Sequence, residues 1–151
     1  MKTKPAVTHR VPDSAAWEGY KDDLDVRSAH DKLFGRNLDE VQRYFGGVQS
    51  ISRADELLFM PRRAFQYYVL AFAQFVLSEQ AKDDPDSASP FLRLLVAREE
   101  RDPGSVRAIY ADLEPVVAKV ASQQAYYDAT REIYGNFHDH EVALRNLCAA
   151  A

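Results

Sequence analysis

Residues Ala64 to Leu77 read AFQYYVLAFAQFVL. On a helix turning about 100° per residue, Phe65, Tyr68, Val69, Phe72, Phe75 and Val76 fall on one face. Leu70, Ala73 and Leu77 widen that face, and only Arg63, Tyr67, Gln74 and Ser78 are left for water. A helix this apolar is buried on most sides, so it is the central post of a helical domain. The stretch predicts an all-α, single-domain bundle of six to eight helices around a buried central helix over about 61–80.

The rest of the composition agrees. A chain of 151 residues has enough length to close one core, and six glycines are few for a turn-rich all-β chain. The net charge of −4 and the lack of a basic stripe argue against a nucleic-acid binder. The single cysteine, Cys148, excludes an internal disulfide and suits a reducing compartment. The opening MKTKPAVTHRVPD lacks the apolar run of a secretory leader. The apolar run near residue 70 is about 14 residues long, too short to span a bilayer. A soluble, cytoplasmic protein that binds neither membrane nor nucleic acid is the expectation.

Residues 1–12, with Pro5 and Pro12, read as an irregular N-terminal arm, and residues 13–151 as the helical domain. Asp13 or Ser14 can cap a first helix running to about Phe34, with Gly35 as its stop. Asn37 and Glu40 fit a capping box that opens a short helix from Leu38 to Phe45. Ser52 should then open Arg53 to Met60, with Pro61 in the first turn of the central helix. The polar stretch Gln80 to Ser89 reads as a surface loop. Ser89-Pro90 reads as the start of the next helix, with Phe91, Leu94, Leu95 and Val96 inward. A stripe then runs from Val106 through Ile109, Leu113, Val117, Val120, Gln124 and Tyr127 to Tyr134. Pro115 interrupts it, either as a kink in one helix or as the start of another. Gly135-Asn136 ends that element, and a last helix spans about Asp139 to Cys148, with Asp139 as its cap.

Two histidine pairs invite a metal reading. An all-helical chain with His30-Asp31, a further histidine and a later aspartate resembles the metal-dependent HD phosphohydrolases. That resemblance implies a divalent cation held by His9, His30, Asp31 and one later Asp, activating water for hydrolysis. It covers four residues. It also departs from the family, because the dipeptide lies in Arg-Ser-Ala-His-Asp-Lys rather than at the end of an apolar helix. His138 and His140 could chelate from an extended chain but point nearly opposite ways on a helix. No nucleophile elbow and no Gly-rich phosphate loop is present, and no cofactor is implied. Cys148-Ala-Ala-Ala151 has the form of a prenylation box, but the segment before it is not polybasic, and a frayed tail is the simpler reading.

Neighbouring tyrosines on a helix cannot share one core face, so one of Tyr67-Tyr68 and one of Tyr126-Tyr127 should lie nearer the surface. With Arg62 and Arg63 below, Tyr67 and Tyr126 are candidates for a recognition patch. The leading expectation is therefore a small protein-binding module: an adaptor, an immunity-type inhibitor or an oligomer subunit with a protein partner. The alternatives are the metal-dependent hydrolase and, behind it, a helix-turn-helix binder through Leu57 to Tyr67.

Overall fold

The structure, a computed structural model, describes residues 10–149. The arm expected over residues 1–12 lies largely outside them, as do the last two alanines. Seven α-helices follow in order: α1 Leu24–Leu33, α2 Val48–Phe59, α3 Arg62–Leu77, α4 Pro85–Arg101, α5 Tyr110–Ala121, α6 Arg131–Tyr134 and α7 Phe137–Ala149. Short 3₁₀ turns join them, and the described residues contain no strand. Taken by packed neighbours, α1, α2, α4, α7 and α5 succeed one another, and α3 also lies against α2, α4 and α5.

The central helix is where the periodicity put it. Twelve of the sixteen residues of α3 are buried. Phe72 packs its ring on Phe45 at 4.9 Å and edge-on to Phe91 at 5.3 Å. The polar atoms of α3 find partners across the core. The Tyr68 hydroxyl lies 2.6 Å from the Leu33 carbonyl and 2.8 Å from that of Arg36. Gln66 donates to the Ser105 carbonyl at 3.0 Å. At the far end the Tyr127 hydroxyl donates to the Val76 carbonyl at 2.6 Å. Burial raises the Tyr127 phenol to about 12.

Several boundaries differ from the sequence reading, each for a local reason. The first helix is two pieces. Asp13 caps a 3₁₀ turn over Ser14–Trp17 by accepting from the Ala16 amide, Gly19 turns left-handed at φ 90°, and Asp23 caps α1 afresh. A Cβ is strained at such a φ, so the glycine permits the break. The capping box forms as expected, with Asn37 and Glu40 exchanging backbone-to-side-chain bonds at 2.8 and 2.9 Å. It opens turns and a 3₁₀ piece over Gln42–Tyr44 instead of an α-helix. α2 starts at Val48, so Ser52 lies inside it rather than ahead of it. The stretch read as a loop before Ser89 is largely helix: α4 starts at Pro85 after Asp84, Ser87 to Ser89 are buried, and Pro90 sits within the helix. α5 contains Pro115 and ends at Ala121, so no single helix carries the stripe on to Tyr134. α7 begins at Phe137, whose amide donates to Gln124 Oε1 at 2.9 Å, and Asn136 rather than Asp139 caps the next amide, that of His138, at 3.0 Å.

Candidate functional site

α2 buries three polar side chains and exposes three apolar ones alongside the polar Gln49, Ser52 and Asp55. Its buried residues are Ser50, Arg53, Glu56 and Leu57, three of them polar. Its outward face carries Val48 at 72% exposure, Ile51 at 40% and Phe59 at 40%. Burying such polar groups is costly unless every one is bonded, and here they are. The Gly46 amide donates to Ser50 Oγ at 2.8 Å. Ser50 in turn donates to Ser87 Oγ at 2.7 Å, because the Ser87 proton goes to Asp84 Oδ2, also at 2.7 Å. The Gly47 amide completes the knot on the same Asp84 oxygen at 2.9 Å. Further along, Arg53 meets Glu56 with two bonds of 2.6 and 2.9 Å and donates to the Tyr44 carbonyl at 3.2 Å. At the C-terminal end, Arg98 Nη1 lies 2.7–3.0 Å from the carbonyl oxygens of Leu57, Leu58 and Met60. A cation there suits the negative end of the helix dipole.

These bonds bring α2 and α4 side by side and parallel. Ser50 sits level with Ser87, and the carbonyl of Leu57 lies within reach of Arg98. The outer seam between them is a shallow groove of about 230 Å³. Ile51, Ala54 and Leu58 line it from α2, and Pro90, Leu94 and Ala97 from α4. Asp55 stands on the α2 side and Arg93 on the α4 side, and neither forms an ion pair within the described residues.

The predicted recognition patch does not assemble. Tyr67 is only 4% exposed and packs edge-on to Tyr68 at 4.9 Å, so its place on a solvent strip is corrected. Burial also raises its phenol. Arg62 is tied to Asp102 and to the Pro103 carbonyl at the start of α3. That bonding holds the Asp102 carboxyl below its ordinary range. Gly104 permits the contact, because a Cβ there would stand 3.3 Å from the Arg62 guanidinium and the backbone is at φ 100°. Arg63 is exposed beside it. Tyr126 is at the opposite end: its neighbour Tyr127 bonds Val76, 14 residues after Arg62 on α3, or about 21 Å along the helix. The four residues therefore form no common surface.

The metal candidates are also apart in role. His30 is stacked between Tyr20 at 3.8 Å and Phe34 at 4.7 Å, with Trp17 edge-on at 5.2 Å. Burial lowers its pKa, with Asp31 opposing. Its ring is therefore a packing element of the α1 corner. His138 is exposed and 3.0 Å from Glu141. His140, two residues on along α7, is half-buried, and burial and then Arg93 lower its pKa. Their helical spacing separates the two rings, as expected. Among the described residues no three His, Cys, Asp or Glu side chains gather as a metal cluster. His9 lies outside the described residues. The Cys148 thiol is buried and raised to about 11 by that burial, so it is a poor nucleophile near neutral pH.

The helix-turn-helix segment is present as α2, Met60-Pro61 and α3, but its second helix is the buried post. It leaves no continuous face for a DNA groove. No helix among the described residues is long and apolar enough to cross a membrane. No family model matches the chain, and no curated protein or solved structure matches it with significance. The α2–α4 groove went unread in the sequence because Ile51, Ala54 and Leu58 carry the same spacing as a core stripe.

Proposed function

We propose that this chain is a protein-binding module and that its docking surface is the outer face of α2 and α4. The supporting observation is the burial pattern of α2. A helix that buries Ser50, Arg53 and Glu56 while turning Val48, Ile51 and Phe59 to solvent is arranged against the ordinary drive to cover apolar surface. An elaborate polar framework holds it in that orientation. Ile51 lines the groove, while Val48 and Phe59 stand at the two ends of the same helix, Phe59 beneath the Arg101 guanidinium at 4.4 Å; apolar surface that borders a groove is what a partner covers, whereas scattered groups need no explanation. Leu24, Leu77 and Ile133 are exposed too, but they lie on three other helices. The hydrolase reading gains no support of this kind, because His30 is packed between aromatic rings.

The test is capture of partners by the immobilised full chain from its source lysate, beside the variants Val48→Glu and Ile51→Glu. Both positions are open to water, so the variants should fold. A stoichiometric partner held by the parent and lost by the variants supports the reading. A partner held equally by all three overturns the assignment of this face. A chain that captures no partner and does not self-associate overturns the function itself.

A further inference from the structure

The rim of the groove says what kind of surface fits it. One wall carries a single acid, Asp55, and the other a single base, Arg93. A partner selected by charge alone would meet a rim of one sign. This rim carries both, and its complement must present a base opposite Asp55 and an acid opposite Arg93. The same face, turned over, does that.

We propose that the occupant of the groove is a second copy of this chain, packed about a two-fold axis running along the seam between α2 and α4. This rests on reading that face as a docking surface. The register of the two helices supplies the geometry. Ser50 is level with Ser87, and Leu57 is within reach of Arg98, so Asp55 lies at the level of the turn that holds Arg93. A two-fold axis along the seam lays α2 of each copy over α4 of the other without sliding either. Asp55 of each copy then faces Arg93 of the other, and Ile51 comes opposite Pro90. An isologous contact of this kind pairs residue i with j and j with i, and so closes at two copies.

The chain carries a net charge of −4, so two copies repel at long range. Within the groove Asp55 and Arg93 cancel. The face is about 18 Å long, the length of α2, and about two helix diameters wide. Two such faces cover roughly 800 Å² together, below the range of a stable specific complex, so the dimer is a weak and reversible one.

The experiment is sedimentation equilibrium of the full chain from about 10 μM to 1 mM, a range suited to a contact of this size. Four proteins are compared: the parent, Asp55→Arg, Arg93→Asp and the double variant. The parent should pass from monomer to dimer. Each single reversal sets like charges together and should weaken dimerisation by about tenfold or more. The double reversal restores opposite charges and should regain most of the loss. Both positions are exposed, and circular dichroism checks that each variant keeps its helix content. A parent that stays monomeric throughout overturns the second copy as occupant. The lysate capture with Ile51→Glu then shows separately whether the face docks something else. A dimer indifferent to both single reversals, or a double variant no better than the singles, overturns the two-fold placement.

Discussion

Two helices of this molecule, α2 and α3, follow opposite rules. α3 buries Phe65, Tyr68, Phe72 and Phe75 and turns Arg63 and Gln74 outward. α2 buries Ser50, Arg53 and Glu56 and turns Val48, Ile51 and Phe59 outward. The first is placed by the hydrophobic effect, which needs no particular partner and scales with area. The second is placed by directed bonds, each of which needs a named group at a named distance. The difference teaches where to look for function. A helix that obeys the hydrophobic drive explains itself within the chain, whereas one that resists it leaves apolar surface exposed, and the docking face proposed above rests on that exposure.

The contrast can be broken at three points. Phe72→Ala removes a fully buried ring from the middle of α3 and should cost about 3–5 kcal/mol in denaturant unfolding. An unchanged midpoint would mean that α3 is not the post. Glu56→Ala leaves the Arg53 guanidinium buried without its carboxylate and should cost about 3 kcal/mol. Replacing both residues, Arg53→Met with Glu56→Leu, should recover much of that loss. Failure to recover would show that the Arg53 bond to Tyr44 matters more than the pair itself.

Ile51→Glu should behave the other way round. It should leave unfolding within about 0.5 kcal/mol of the parent, as exposed changes usually do. In the same sample it should weaken self-association by about tenfold or more. A large loss of stability with unchanged association would place Ile51 in the core and remove the distinction between the two helices.

The smallest effect concerns neither helix but the α1 corner, where His30 stacks on Tyr20 and Phe34. Burial holds the folded-state pKa of His30, and that of His140, below the ordinary 6.5. The unfolded chain therefore binds the proton more readily, and stability should fall as pH drops below about 6.5. Thermal unfolding between pH 7 and pH 5 checks the direction. His30→Gln should flatten part of that slope, and an unaltered slope would assign it to other groups. Loss from Asp102, whose carboxyl is held below its ordinary 3.8 by Arg62, belongs to a separate window below that value.

The amino-acid sequence by itself determined the all-α class and the identity of α3. The reason is that an apolar run at helical period has one stable destination, the interior. It also determined the capping box at Asn37 and Glu40, which needs only groups three residues apart. Tertiary structure decided the rest. Both Asp84-Pro85 and Ser89-Pro90 are sound helix starts, and Asp84 prevails because it accepts from the Gly47 amide across the gap to α2 and from Ser87 within its own first turn. Tyr67 and Tyr68 look alike in the chain, and packing buries both. The apolar face of α2 could not be told from a core stripe until the bonds of Ser50, Arg53 and Glu56 were seen to turn it outward. Periodicity says that a helix has two faces, and long-range polar contacts decide which one meets water.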